Sequence, residues 1–399
     1  MSLFHEAQAM SDVIIANRHY LHQIPELSLD LPQTAAYVEE KLKQMGYAPQ
    51  RIGDCGIVVT AGKGNGKCFL IRADMDALPV VEDADIDFKS TNGNMHACGH
   101  DCHTAMLLGA AQLLKNHEDE IEGTVKLMFQ PGEETMEGAK MMVAGGILEN
   151  PHVDAAMGAH VFTAMPMPAG SVALMGAKMR MAGSDWFTIH IIGKGCHGAM
   201  PNTGVDPLNV MSHIHIALQA INARELDPMD NLVLTVGQMH GGQTSNVIPN
   251  EAMMSGTIRT LKNETRAMVK GRMEAIVASI ATAFGAEAKV EWGAGCPVLI
   301  QNEPLYQEAA GYLKNLEGIT FLNLDELGYS GASSGMGSED FAYVTNEVPA
   351  VFLGIPAGTP QEGYIYPQHH PKARFQDKVL PSGAAAYAHV AMEWLKNHK

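Results

Sequence analysis

Runs of apolar residues alternate with amphipathic segments through the first half of the chain. Consecutive apolar residues bounded by polar or glycine-rich turns predict four strands, at Gly56–Ala61, Lys67–Ala73, Thr124–Gln130 and Asp154–Ala159. Apolar residues three and four positions apart predict helices at Gln33–Met45, after His103 and near Gly138–Ala144. Strands that alternate with helices indicate an α/β fold with a mixed, largely parallel sheet flanked by helices.

The pattern changes near Ala182 and returns near Gly295. Between these points the order of predicted elements is strand, helix, strand, strand, helix, strand, which is the βαββαβ order of a ferredoxin-like α+β domain. After Gly295 a helix, a strand and a terminal helix from Ser382 resume the first pattern. We therefore predict a discontinuous first domain, residues 1–182 and 295–399, with residues 183–294 inserted as a second domain. The length of 399 residues agrees with two domains.

Groups that can bind metal follow three of the predicted strands. Asp74 and Asp76 follow the second strand, Glu133 and Glu134 follow the third, and His160 follows the fourth. The carboxyl ends of parallel strands meet at one edge of a sheet, where ligands bind. Three strand ends with such groups predict one site at that edge.

The segment Met95–Leu114 adds more groups of this kind. Cys98, His100, Asp101 and His103 precede or begin a predicted buried helix. Unpaired polar groups are costly to bury, so a functional cluster is one interpretation. A reduced cysteine with histidines that cap a helix is the other, and this segment alone does not separate them.

The pair Glu133-Glu134 offers the two carboxylates that a hydrolytic metal site needs. Adjacent side chains point in different directions, so one can bind metal while the other faces substrate and water. A solvated helix start is the alternative for the dipeptide alone. The Pro-Gly before the pair, at the end of an apolar strand, argues against that alternative.

Three further segments carry candidate groups with simpler alternatives. His197 lies in a glycine-rich loop, and His369-His370 lies near the end of the chain, where either could be a solvated loop. The segment Ser338–Phe341 predicts a helix N-terminus capped by Ser338 rather than a functional site. No phosphate-binding loop, dinucleotide fingerprint or nucleophile elbow occurs.

Charge and composition argue against several classes of binding partner. The formal net charge of −17 argues against nucleic acid and anionic membranes. No stretch approaches the ~20 apolar residues of a membrane span, and the N-terminus does not have the pattern of a signal peptide. The six cysteines have no disulfide-framework spacing, so we expect reduced thiols and a cytoplasmic protein.

Together these motifs resemble the co-catalytic metallo-aminoacylase/carboxypeptidase superfamily. The similarity is to its amidohydrolase branch, which contains hippurate hydrolases, auxin-conjugate hydrolases and N-acetyl-diaminopimelate deacetylases. The matching segments span nearly the whole chain: LHQIPELS (21–28), RADMDALP (72–79), HACGHDCHTAMLLGAA (96–111), QPGEE (130–134), GAHV (158–161), GKGCHGAMP (193–201), DPLNV (206–210), NVIP (246–249), GTIR (256–259), SEDF (338–341) and HHP (369–371).

The resemblance implies a zinc-peptidase-like catalytic domain that holds two divalent metal ions, with zinc, manganese, nickel and cobalt as the candidates. The implied metal ligands are Cys98, His100, Glu134, His160 and His369. His369 is preferred to His370 because the branch pattern is His, any residue, Pro.

The resemblance also assigns roles around the metals. Glu133 would be the general base, and Asp76 would orient the ligands. His197, Asn246 and Arg259, on the inserted domain, would contact the reacting carbonyl or the substrate carboxylate. The inserted domain would serve as a lid or form a homodimer, with His197 acting in its own subunit or in the partner.

The implied activity is hydrolysis of the amide bond of small N-acyl amino acids. A dipeptidase or carboxypeptidase of the same superfamily is the first alternative. A metal-binding protein without turnover is the second, although a structural metal site would not need Glu133. An interaction module with incidental motifs is the third, and the ordered ligand set argues against it.

Overall fold

The computed structural model describes residues 2–177, 180–327 and 336–399. It divides the chain into two compact units. The first unit comprises the described residues of Met1–Met179, Ile300–Ser333 and Asp340–Lys399, and the second those of Arg180–Leu299 and Ser334–Glu339. The sequence placed the boundaries at 182/183 and 294/295. One reason for the later return is that the last strand of the second unit continues to Cys296, beyond the predicted boundary at 294/295.

Helices and strands alternate through the first part of the first unit. In chain order they are α1 (Leu3–Ala9), α2 (Ser11–Gln23), α3 (Pro32–Gln44), β1 (Gln50–Ile52), β2 (Gly56–Gly62), β3 (Cys68–Asp74), α4 (His100–Asn116), β4 (Thr124–Gln130), α5 (Gly138–Ala144), β5 (Ala155–Phe162) and β6 (Val172–Leu174).

The remaining elements begin with the second unit and then return to the first. They are β7 (Arg180–Met181), β8 (Gly183–Ile192), β9 (Cys196–His197), α6 (Pro207–Ala220), β10 (Leu232–Gly241), β11 (Val247–Ile248), β12 (Glu251–Thr260), α7 (Asn263–Ala283), β13 (Glu287–Cys296), β14 (Leu299–Ile300), α8 (Glu303–Lys314), β15 (Phe321–Asn323), α9 (Ala342–Thr345), β16 (Ala350–Pro356) and α10 (Leu380–Asn397). Short 3-10 and π turns lie at Glu118–Glu120, Pro201–Thr203, Ile221–Glu225, Pro360–Glu362 and Asp377–Val379.

One mixed sheet forms the centre of the first unit. Its strand order is β1-β2-β4-β3-β5-β16-β6-β15. The inner strand β3 is parallel to β4 and β5, and β16 is parallel to β5, whereas β2 and β6 run antiparallel to their inner neighbours. Every residue of β3 and β4 is buried, because helices cover both faces of the inner strands. The predicted fold class, a largely parallel sheet flanked by helices, is confirmed.

The second unit contains a four-stranded antiparallel sheet with two helices. Its strand order is β10-β12-β8-β13, and its six main elements follow one another as β8, α6, β10, β12, α7 and β13. This is the βαββαβ order that the sequence predicts. Apolar side chains of α6 and α7 pack with those of the sheet in a core of their own.

Several local predictions differ from the structure. The strand predicted to end at Ala159 continues to Phe162, so that His160 lies inside β5. The helix predicted after His103 begins at His100. The predicted Ser338 cap is wrong: Phe341 occupies the N-cap position of α9, and no side chain caps this helix. The buried carboxylate of Asp340 instead pairs with Arg72, a contact between residues far apart in the sequence.

Two further findings concern the whole described chain. All six cysteines are free thiols, five of them buried. Among the described helices, none is both long enough and apolar enough to cross a bilayer.

A buried cluster of charged side chains joins α2 to α4. Asp101 accepts hydrogen bonds from Arg18 Nε (3.0 Å) and His22 Nδ1 (2.9 Å), while His22 Nε2 lies 3.1 Å from Glu82 Oε1. Burial opposes the charged imidazolium, but the carboxylates of Asp101 and Glu82 outweigh it and raise the pKa of His22 to about 9. The contribution of His22 to this cluster therefore depends on its protonation, whereas the Arg18–Asp101 pair does not.

The His22 contribution to stability is expected to depend on pH. A pKa raised from 6.5 to about 9 gives a contribution that is fully present below pH 6.5 and is lost as the pH rises through 9. The full shift corresponds to about 3 kcal/mol. Urea unfolding of the wild type and His22→Asn should therefore differ strongly near pH 6 and much less above pH 9. The exposed His152→Asn is the control, and a His22→Asn difference that stays constant over this range would contradict the assignment.

Candidate metal centre

Strand ends and loops of the first unit bring the five predicted ligands together. Their reactive atoms form two groups: those of Cys98, His100 and His160 lie within 4.8 Å of one another, and so do those of Cys98, Glu134 and His369. The Cys98 thiol belongs to both groups. The structure therefore places all five side chains in one continuous cluster.

The spacing within the cluster suits metal ligands. Cys98 Sγ lies 3.3 Å from His160 Nε2, and Glu134 Oε1 lies 3.6 Å from His369 Nε2 and 3.9 Å from His100 Nε2. Ligand atoms about 2.0–2.3 Å from a tetrahedral ion lie about 3.3–3.8 Å from one another. The observed separations are in or close to this range.

The start of α4 fixes two of the ligands. Gly99 is the N-cap residue, with φ +93°, and a Cβ at this position would lie 2.5 Å from Val161 Cγ2. Only glycine adopts this left-handed conformation readily while allowing such close approach. Gly99 thus lets the chain turn between Cys98 and His100 so that both side chains enter the cluster.

Two buried polar atoms in the cluster are left without a hydrogen bond. His100 Nδ1 donates to the carbonyl of Asp76 (2.9 Å), which leaves His100 Nε2 facing the cluster. Neither this Nε2 nor Glu134 Oε1 has a hydrogen-bond partner among the described residues. Buried polar atoms without partners are costly, and a bound cation would satisfy both. The donor set therefore fits a divalent metal ion.

The raised pKa values of two side chains in the cluster also favour a bound cation. Burial, reinforced by Asp76 and Asp74, raises the pKa of Glu134 to about 7. Burial next to Glu134 also raises the pKa of the Cys98 thiol well above its usual value. A divalent cation favours the thiolate and the carboxylate, so it would reverse both shifts.

Asp76 holds the two segments that carry ligands in fixed positions relative to each other. Its two carboxylate oxygens accept from the backbone N–H groups of Glu133 (3.0 Å) and Glu134 (3.1 Å), while its carbonyl accepts from His100. The acidic pair and the first imidazole are thus fixed by one residue. Glu133 is buried, and its Oε2 lies 3.9 Å from His100 Nε2.

Hydrogen bonds orient His160, a member of the cluster, and its neighbour His103. His160 Nδ1 donates to the carbonyl of Val161 (2.6 Å). Burial holds the pKa of His160 well below its usual value, so the ring is neutral and its Nε2 presents a lone pair toward Cys98. His103 Nδ1 donates to Asp74 (2.6 Å), and its Nε2 accepts from the N–H of Val161 (2.8 Å). The sequence analysis includes Asp74 and His103 among the candidate groups but assigns neither a role, although their spacing from Asp76 and His100 was the available signal.

The structure distinguishes the two adjacent histidines near the end of the chain. His369 has φ +66°, its N–H donates to the carbonyl of Ala97, and its imidazole joins the cluster. His370 Nδ1 accepts from the N–H of Lys372, and its ring stacks on Tyr366. Only His369 is therefore placed with the other candidate ligands.

The three predicted substrate-binding residues lie in the second unit. His197 in β9 pairs with Val247 in β11, and the carbonyl of Asn246 accepts from the N–H of Gly198 (2.8 Å), so His197 and Asn246 lie at one short antiparallel strand pair. Arg259 lies in β12, with its guanidinium 5.6 Å from the centre of the Trp186 ring.

Comparison with known proteins gives a consistent result. Residues 70–393 match peptidase family M20/M25/M40. The chain is 35% identical over 399 residues to thermostable carboxypeptidase 2 of Saccharolobus solfataricus, covering 98% of each chain. It is 37% identical to N-acetyl-L-cysteine deacetylase of Bacillus subtilis over 92% of this chain and 84% of the relative. It is 35% identical to hippurate hydrolase of Campylobacter jejuni over 95% of this chain and 96% of the relative.

A solved structure agrees with these matches. A Bacillus subtilis protein, a dinuclear metal-binding peptidase from the M20 family, superimposes with a TM-score of 0.78 at 28% identity. The alignment covers 98% of this chain and 99% of the other.

Glu134→Gln is expected to weaken metal binding by more than about tenfold, because it removes an anionic ligand. The measurement is metal content by elemental analysis after dialysis against graded free metal. Glu137→Gln is the matched control, since Glu137 is exposed and lies three residues away. Equal metal retention by Glu134→Gln and the wild type would remove Glu134 from the ligand set.

Proposed function

This chain belongs to peptidase family M20/M25/M40, and from that premise we propose that it hydrolyses the amide bond of N-acyl amino acids. The family match and the similar proteins identify it as a metal-dependent amidohydrolase. The observation that carries the finer proposal is the pair Glu133-Glu134. The Glu134 carboxylate lies with Cys98 and His369, whereas the buried Glu133 carboxylate lies 3.9 Å from His100 Nε2. Glu133 is also close enough to His100 and Glu134 to bind metal, but it lies outside the five ligands proposed from the sequence and is therefore available as a base.

The proposed metal site holds two divalent ions through Cys98, His100, Glu134, His160 and His369. When bound, such ions act as Lewis acids toward the amide carbonyl and the attacking water. The ligand set of one thiol, imidazoles and a carboxylate favours zinc, with manganese, nickel and cobalt as alternatives.

Glu133 is the general base in this proposal. Its backbone is fixed by the hydrogen bond from its N–H to Asp76, so the carboxylate keeps a defined place beside the ligands. It removes a proton from the attacking water and passes that proton to the amine as the C–N bond breaks. Asp76 acts by positioning Glu133, Glu134 and His100.

Residues of the second unit would recognise the substrate. Because His197 Nδ1 accepts from the N–H of Ala199, its Nε2 carries the proton and can donate to the developing oxyanion. Such a donor typically contributes about 3–4 kcal/mol. The planar guanidinium of Arg259 suits bidentate recognition of the free carboxylate, and Asn246 adds an amide beside His197.

Assembly and location complete the proposal. We propose a homodimer formed through the second unit, in which His197 serves its own or the partner site. A cytoplasmic location is supported by the six free cysteines.

The relatives support a second candidate function. The two thermostable carboxypeptidases of Saccharolobus solfataricus, each 35% identical to this chain, favour peptides as the alternative substrate. Both reactions release an amino acid with a free carboxylate, so the same site would serve either. N-acyl amino acids are preferred because the names of the deacetylase and the hippurate hydrolase specify that class.

Glu133→Gln is expected to retain metal but to lower kcat by about 10²–10⁴-fold, since the variant cannot accept the proton. The assay is release of free amino acid from an N-acyl amino acid by metal-loaded enzyme, with metal content measured in parallel. Glu137→Gln should behave as the wild type. A metal-loaded Glu133→Gln enzyme with normal kcat would refute the role of general base.

A further inference from the structure

The loop that carries Glu133 and Glu134 is tightly closed. Gly132 has φ +69°, the N–H of Met136 donates to the carbonyl of Glu133 (2.8 Å), and the N–H of Gly138 donates to the carbonyl of Gly132 (3.0 Å). A Cβ on Gly138 would lie 1.6 Å from the carbonyl oxygen of Pro131. The two ends of the loop therefore touch.

One buried carboxylate holds both ends of this loop. Asp340 Oδ1 accepts from Gln130 Nε2 (2.7 Å), and Asp340 Oδ2 accepts from the N–H of Ala139 (2.8 Å). Gln130 is the last residue of β4 and directly precedes the loop, while Ala139 lies in the first turn of α5 and directly follows it. The two oxygens thus fix the point where the loop leaves the strand and the point where it enters the helix.

Arg72 links this carboxylate to the rest of the site. Its Nη2 donates to Asp340 (3.0 Å), its Nε to Gln130 (2.8 Å) and its Nη1 to Asp74 (2.8 Å). All four side chains are fully buried. Asp74 in turn binds His103 and lies 3.7 Å from His100 Nε2. Breaking a buried ion pair leaves an uncompensated charge, so these groups are strongly constrained.

We propose that Asp340, acting with Arg72 and Gln130, is a positioning residue that sets where the Glu133 and Glu134 carboxylates stand. The inference rests on the proposed function of those two carboxylates. Asp76 holds the backbone at the middle of the loop, and Asp340 holds its two ends, so the loop is fixed from both sides. Without Asp340 the loop ends separate and both carboxylates shift together.

Asp340→Asn tests this role because it keeps the side-chain shape but cannot accept all three bonds. Either its NH₂ group faces the donating N–H of Ala139, or it faces Gln130 and Arg72, which are also donors. A misplacement of about 1 Å at a catalytic group can cost about 100-fold, so we expect kcat to fall by that order. KM should change by less than about threefold, because the substrate-binding groups proposed in the second unit are untouched.

The double variant Gln130→Glu/Asp340→Asn provides the rescue. It exchanges the carboxylate and the amide between the same two positions, so the net charge around Arg72 is unchanged. The amide at position 340 can then donate to the carboxylate at position 130 while its oxygen still accepts from Ala139. Arg72 Nε keeps an acceptor at position 130, but its Nη2 loses the acceptor at position 340, so the rescue is partial. We expect kcat to recover by at least about tenfold relative to Asp340→Asn, as in a coupled pair.

A spectroscopic measurement separates positioning from turnover. With Co²⁺ as the probe metal at saturation, Asp340→Asn should shift the visible absorption bands of the bound ion, because Glu134 moves with the loop, and the double variant should shift them back. Asp185→Asn is the matched control: Asp185 is also buried and pairs with Arg266 and Lys270, but it lies in the second unit. It should lower stability without altering the spectrum or kcat.

The outcomes are distinct. A folded Asp340→Asn enzyme with wild-type kcat and Co²⁺ spectrum overturns the inference, as does a folded double variant that recovers neither. If Asp340→Asn does not fold, recovery of folding, kcat and spectrum in the double variant supports the inference, and folding without recovery of kcat and spectrum overturns it. If the wild type does not hydrolyse N-acyl amino acids but the spectrum responds as expected, the proposed function fails and the positioning role stands.

Discussion

Negative charge concentrated in a buried site is the constraint on which the rest of this structure depends. Asp74, Asp76, Glu133, Glu134 and Cys98 lie together at one edge of the first sheet, where all but Glu134 are buried and solvent screens their charge weakly. Arg72 is the buried cation that balances part of this charge, through Asp74 and Asp340. Burial, reinforced by the remaining negative charge, raises the pKa values of Glu134 and Cys98, and a bound cation would relieve both effects.

The parallel core of the sheet makes this concentration possible. β3, β4 and β5 run in the same direction, so residues at or beyond their carboxyl ends meet although they come from distant parts of the chain. The N-terminus of α4 then adds Cys98 and His100 through the left-handed turn at Gly99. Burial of β3 and β4 on both faces keeps the strand ends in fixed positions, and this rigidity is what a hydrolytic site requires.

Much of this could be predicted from the sequence because the relevant signals are local. Apolar runs marked β3 and β4 to within a residue, and the groups after them marked the edge of the sheet.

Other features depend on contacts between distant residues. Asp340 lies in a segment with the local pattern of a helix cap, yet its partners are Arg72 and Gln130, and no local pattern reveals a buried ion pair across the sheet. His160 was found as a candidate but placed after its strand, because pairing with β16 extends β5 beyond the apolar run.

We propose that this metal-dependent hydrolase acts on N-acyl amino acids. The most direct test compares kcat/KM for N-acetyl, N-benzoyl and indole-acetyl amino acids with that for dipeptides of the same amino acids, using metal-loaded enzyme and chelator-treated enzyme in parallel. We expect chelator-sensitive release of free amino acid, with at least one N-acyl amino acid preferred to every dipeptide. Hydrolysis of dipeptides with no turnover of the N-acyl amino acids would contradict it.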